Sequence, residues 1–157
     1  MIAKPASCAT CLGWAWGQDG FMPSPEGIGS NGVLLVGEAL GEEEAKSGKP
    51  FQGRAGMAFT RMLQRRGLRR SDFLIDEVLR CRPPDNKLNG MPYEREVIQA
   101  CAPFLTHTIE TRQPRAAVAL GEIAMQRLLS LGKEEKVTPR RGYVEWSHRH
   151  RLWIVST

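Results

Sequence analysis

The chain has 157 residues, of which 41% are hydrophobic and 25% charged, a composition that fits one soluble globular domain with a real core and excludes a low-complexity or fibrous chain. No uninterrupted apolar segment approaches a membrane span, and the start, Met1-Ile2-Ala3-Lys4-Pro5, lacks the apolar stretch of a signal peptide, so the expectation is a single domain over 1–157 in the cytoplasm, with no membrane partner. The net charge of +5 suits an anionic partner, nucleic acid being the commonest, and suits equally a mildly basic enzyme with scattered lysines and arginines.

In chain order, residues 12–31 are rich in Gly, Pro, Trp and Ser without periodicity and read as irregular. Gly32-Val33-Leu34-Leu35-Val36-Gly37 reads as a buried strand, and 38–56 as a long Gly- and Glu-rich loop. Phe59, Met62 and Leu63 at helical spacing predict a helix over 55–66, and Phe73–Leu79 a second strand. Arg82-Pro83-Pro84-Asp85-Asn86 breaks regular structure, because two prolines remove donors and fix the backbone. A long helix follows from about Pro92 to Arg112, with Val97, Ile98, Cys101, Phe104, Leu105 and Ile109 as its apolar stripe. Arg115–Leu120 is a third strand, Gly121–Leu131 a third helix and Arg151–Ser156 a fourth strand. Strands alternating with helices imply an α/β fold with a parallel sheet covered on both faces, and such sheets bind ligands beyond the carboxyl ends of their strands. The unusual segments, Gly37-Glu38-Ala39-Leu40-Gly41 and Cys81-Arg82-Pro83-Pro84-Asp85-Asn86, sit at those ends.

Cys8 and Cys11 form a C-x-x-C pair, Cys81 follows the second strand and Cys101 lies on the long helix. Four thiols suffice to ligate one metal centre without another residue type. In a reducing compartment that reading outweighs two disulfides or unrelated free thiols. Composition does not separate an iron–sulfur cluster from zinc.

Three segments, Leu35-Val36-Gly37-Glu38-Ala39-Leu40-Gly41-Glu42-Glu43-Glu44, Gly48-Lys49-Pro50-Phe51-Gln52-Gly53-Arg54-Ala55-Gly56 and Arg80-Cys81-Arg82-Pro83-Pro84-Asp85-Asn86, occur in this order between the C-x-x-C pair and Cys101. Together they resemble family 4 uracil-DNA glycosylases, the iron–sulfur branch of that superfamily. The resemblance implies a three-layer α/β/α sandwich around a four-stranded parallel sheet. It also implies a [4Fe–4S] cluster on Cys8, Cys11, Cys81 and Cys101, and excision of uracil from DNA, with a monomer expected. Three positions depart from the family pattern. Leu40 stands where the first motif usually has proline, and Glu77 where an asparagine usually reads the uracil edge. The family's His-Pro-Ser segment is absent after the fourth strand, which leads to the expectation of a truncated member ending at Thr157.

Glycosidic cleavage of a deoxynucleotide passes through an oxocarbenium-like state with charge leaving on the base, so an enzyme gains by stabilising that anion and holding water near the sugar carbon. Glu38 and Glu44 match the family's motif positions and are the candidate catalytic carboxylates, with Glu44 preferred. Without the resemblance, Glu42, Glu43 and Glu44 read as acids charging the first turn of a short helix. Ala39, Phe51, Glu77 and Asn86 are the candidate substrate contacts. Phe51 would stack on a base turned out of DNA, or else anchor its loop. Asn86 would orient substrate or water, or else serve turn chemistry. An ionised Glu77 only accepts hydrogen bonds; it would repel uracil O4 unless burial keeps it protonated, so altered base preference is expected. Arg61, Arg65, Arg66, Arg69 and Arg70 form one basic set, and Arg140, Arg141, His148, Arg149, His150 and Arg151 another, suited to phosphate contacts. The alternative reading is a catalytically weak or inactive iron–sulfur DNA-binding module, and beyond it a zinc-stabilised binding protein.

Overall fold

An apolar run without alternation needs cover on both faces, and the computed structural model, which describes residues 4–16 and 20–157, places it at the centre of a sheet. The strands are β1 (Val33–Ala39), β2 (Leu74–Leu79), β3 (Ala116–Ala119), β4 (Val144–Ser147) and β5 (Leu152–Ser156), in the order β2-β1-β3-β5-β4. The first four neighbours in that order run parallel; β4 pairs antiparallel with β5. Residues 1–3, at the start read for a leader, and 17–19, inside the stretch read as irregular, lie outside the described residues.

The α/β sandwich holds, and the sheet differs from the expected four parallel strands by the added edge β4. Its four residues, Val144-Glu145-Trp146-Ser147, alternate apolar and polar only over this minimal length and expose the apolar pair, so they make no buried apolar run. The helices are α1 (Glu42–Ser47), α2 (Arg54–Arg65), α3 (Glu94–Arg112) and α4 (Glu122–Leu129). Leu34, Val36, Leu74 and Val78 meet α3 and α4 on one face, while Leu35 and Ile75 meet Leu63 of α2 and Phe73 on the other. α1 interrupts the expected loop. Three acids in its first turn and Lys46 in its last favour its dipole, and Gly48, with φ 68°, ends it in the left-handed region. Met62 was expected inward and is exposed; Phe59 and Leu63 carry the contact of α2. Among the described residues, no helix is long and apolar enough to cross a membrane.

β2 is an edge strand with all six residues buried, because Glu26 bridges to Ile75 and covers its outer rim. Asp76, fully buried, takes Arg80 Nε at 3.0 Å and Nη2 at 2.6 Å, and accepts from the Thr108 hydroxyl of α3 at 2.7 Å. Arg80 also lies over the Phe104 ring, 5.4 Å from its centroid. A buried ion pair adds little net stability, yet removing one partner strands the other charge. Asp76→Ala should therefore lower stability by about 3–5 kcal/mol, read as a fall in the urea midpoint. Arg69→Ala, which breaks the exposed pair with Asp72, should move that midpoint little.

Candidate active site and thiol cavity

Two sites sit at the carboxyl ends of β1 and β2. The first is a small cavity lined by Cys8, Cys11, Cys81 and Cys101 together with Lys4 and Phe21. A turn places the C-x-x-C pair: Cys11 N–H donates to Cys8 O at 3.0 Å, and Trp14 N–H to Cys11 O at 2.8 Å. An antiparallel bridge between Phe21 and Cys81 brings the irregular segment to the end of β2. Gly13 borders the gap between the sulfurs: a Cβ there would make ordinary contact, 3.4 Å from Cys81 Sγ and 3.5 Å from Cys11 Sγ. Backbone N–H groups point at two of the thiols, Arg80 to Cys101 Sγ at 3.3 Å and Gly13 to Cys11 Sγ at 3.4 Å. Lys4, buried, donates to Gly13 O, and its charge opposes the rise that burial causes in the pKa of Cys8 and Cys81.

All four cysteines are free. Burial pushes Cys81 up to about 11 and Cys101 to about 12, so without a cationic centre these groups are neutral thiols. Among the described residues, no three His, Cys, Asp or Glu side chains are drawn as close as a single metal ion's ligands. A tetrahedral zinc site brings its sulfurs within roughly 3.8 Å of one another. Four thiols around one cavity, with backbone N–H donors and a buried lysine beside them, are a donor set that suits a thiolate-ligated centre.

The second site lies over Gly37. Glu77 pairs with Gly37 in the β1–β2 register, and a Cβ on residue 37 would come within 2.2 Å of Glu77 Oε2 and 2.6 Å of Phe51 Cζ. The missing side chain thus makes the space that the carboxyl and the ring share. Glu77 is 3% exposed, and its Oε2 is buried without a hydrogen-bond partner. Burial, then the charges of Asp76, Glu44 and Glu38, raise its pKa well above the ordinary 4.5; Arg70 opposes them weakly.

Phe51 has φ 50°, and its loop is held from three sides. Glu44 Oε1 accepts from Gln52 N–H and Gly53 N–H, both at 2.8 Å. Arg70 donates to Pro50 O at 2.7 Å and Phe51 O at 3.3 Å while paired with Glu26 at 2.7 Å. Gly56 admits the Phe51 carbonyl, which a Cβ there would meet at 1.9 Å. The ring packs 5.8 Å from Phe59, so Phe51 also anchors its loop. Arg70, read for phosphate contact, is committed inside the fold, and no sequence signal distinguished it from Arg61, Arg65 and Arg66, which are exposed.

Alternation along β1 turns Glu38 to the other face, half-buried, where burial and Glu94 of α3 raise its pKa. Ala39 lies in register with Leu79, and Leu40, at the proline position, is fully buried. Asn86 Oδ1 accepts from Arg82 Nε at 2.7 Å, and Arg82 reaches Glu42 at 3.6 Å, closing one rim between the Pro-Pro turn and α1. Asp85 and Asn86 both have left-handed φ, as turn chemistry demands. Within the second basic set, Arg140 is paired with Glu135 and Glu145. His150 is held neutral, its pKa lowered to about 4 by burial and by Arg127 and Arg149. A wider cavity of about 450 Å³, lined by Glu26, Lys49, Gln52, Thr60, Arg61 and Arg70, touches Phe51 but no other candidate catalytic, base-contact or thiol residue.

The model of the Uracil DNA glycosylase superfamily matches residues 26–156. The chain is 42% identical over 106 residues to a type-4 uracil-DNA glycosylase of Pyrobaculum aerophilum, covering 68% of this chain and 52% of that protein. It is 43% identical over 115 residues to one of Thermotoga maritima, covering 73% and 57%, and 35% identical over 154 residues to one of Sulfurisphaera tokodaii, covering 95% and 67%. The chain thus spans little more than half the length of the first two.

An acid whose pKa is raised by folding contributes stability below its unfolded value and loses it as pH rises through the folded value. Wild type should therefore lose stability relative to Glu77→Gln as pH climbs above the ordinary carboxylate range, in paired denaturation curves taken across pH. Gly37→Ala, which overpacks the same space, should cost about 1–3 kcal/mol at every pH.

Proposed function

The chain belongs to the uracil DNA glycosylase superfamily, and on that premise we propose that it hydrolyses the N-glycosidic bond of uracil, or of another deaminated base, turned out of DNA. The observation that carries this reading is the convergence over Gly37 of an aromatic ring, Phe51, and a polar group, Glu77, at the strand end whose next residue, Glu38, turns its half-buried carboxylate to the opposite face. A flipped base has lost its stacking and pairing, and needs a flat apolar partner and an edge reader in their place.

In the proposed reaction the bond between C1′ and the base nitrogen breaks, its electron pair leaves with the base, and water forms the new bond to C1′. Glu38 accepts the water's proton; its raised pKa makes it a stronger base than a free carboxylate. Glu44 holds the Phe51 loop through Gln52 and Gly53, so the weight between the two candidate acids moves to Glu38. In this reading Ala39 and Asn86 are further substrate contacts. Arg61, Arg65 and Arg66 supply phosphate contacts on an exposed face.

Cys8, Cys11, Cys81 and Cys101 would hold a [4Fe–4S] cluster. Bound there, such a group ties the N-terminal segment to β2 and α3 and takes no part in the hydrolysis. Anaerobically purified protein should show the broad visible absorbance of an iron–sulfur centre and lose it, with thermal stability, in Cys101→Ser; a colourless zinc-loaded protein would exclude the cluster.

With a DNA strand carrying one uracil, wild type should release the base and leave the backbone intact, and Glu38→Gln should slow release by about 10²–10⁴-fold with DNA binding retained. DNA binding without release of any deaminated base would instead identify a non-catalytic binding module.

A further inference from the structure

Resting on the glycosylase reading, we infer that Glu77 meets the base as a neutral carboxylic acid, giving its O–H to a ring carbonyl and accepting the neighbouring ring N–H, and so selects the lactam edge that deamination creates. An ionised carboxylate has no proton to give and would push a carbonyl oxygen away. Protonated, the same group is a donor and an acceptor side by side, the pattern of uracil's O4 and N3–H and of hypoxanthine's O6 and N1–H.

Among the described residues, the surroundings of Glu77 supply no counter-charge that is not already engaged elsewhere. On its own strand Asp76 is consumed by Arg80 and Thr108. From β1 comes Glu38 and from α1 Glu44, both acids that raise the cost of ionising it. Arg70, the one cation acting on it, is paired with Glu26 and bonded to the carbonyls of residues 50 and 51. Oε2 is buried and unpartnered, and a buried carboxyl without a partner is stable only as the acid. Its Oε2 and Phe51 Cζ both border the space left by Gly37, so the carboxyl lies beside the ring on which a base would stack. As the glycosidic bond breaks, charge grows on the base, and an O–H directed at its carbonyl strengthens in step.

The test compares wild type, Glu77→Gln and Glu77→Asn in single-turnover release from strands carrying uracil, hypoxanthine or cytosine, across pH. Wild type should release uracil and hypoxanthine and fall tenfold per pH unit once Glu77 ionises. The two amides, which donate and accept at every pH, should stay flat through that window. Infrared difference spectra of wild type minus Glu77→Gln should show the carbonyl band of a protonated acid at neutral pH, replaced by carboxylate bands as the rate falls. A missing acid band, parallel pH profiles for wild type and both amides, or a preference for cytosine that rises with pH would overturn the inference. Failure of every variant to release any base, with the acid band present, would instead remove the glycosylase reading and the base-recognition role with it.

Discussion

Arg80 carries a charge that cannot reach water, and the end of β2 is arranged around satisfying it. Its guanidinium takes both oxygens of Asp76 and the Thr108 hydroxyl, its ring contact is Phe104, and its carbonyl accepts from Met22 N–H at 2.9 Å. Its own N–H reaches the sulfur of Cys101. One residue therefore fixes how β2, α3 and the irregular N-terminal segment meet. Cys81 is the next residue along, so the thiol cavity inherits that registration. Such a network specifies an arrangement more than it adds net stability, because two charges had to leave water to build it.

One step along β2 from Asp76, Glu77 faces the opposite side of the sheet and has no such compensation. The contrast between neighbours is instructive. Asp76 is met by a cation and a hydroxyl, whereas Glu77 lies among other acids and beside an aromatic ring. Strand alternation alone separates these two environments. The same alternation sends Glu38 toward α3 and leaves Gly37 beneath Phe51, dividing the acidic strand ends into two chemically different sides.

Much of this was legible in the residues. The unalternating run at 33–36 and the long apolar stripe of α3 have no other way to hide, and both elements lie where their patterns place them. The four cysteines, far apart in the chain, line one cavity. What stayed hidden depends on tertiary partners. β4 is held by pairing with β5, with Trp146 edge-on to Trp153 at 5.0 Å, and its four-residue alternation turns the apolar side chains outward. Arg70 reads like its neighbours until Glu26, 44 positions away in the chain, is seen to claim it. Glu44 reads as a reactive acid until its oxygen is found between two backbone amides. The protonation of Glu77 is a property of its neighbours, and local sequence does not encode it.

The clamps on the Phe51 loop have a consequence for whatever occupies the cleft. A carboxylate grips the loop on one side, a guanidinium on the other, and a glycine admits the carbonyl between them. The unfavourable left-handed backbone at Phe51 is thus imposed during folding. An incoming planar ligand finds the ring already oriented and spends none of its association energy on freezing a mobile segment. Loosening either clamp would leave the stacking surface chemically unchanged while adding an ordering entropy to each encounter, a penalty borne by affinity and invisible in the contact itself.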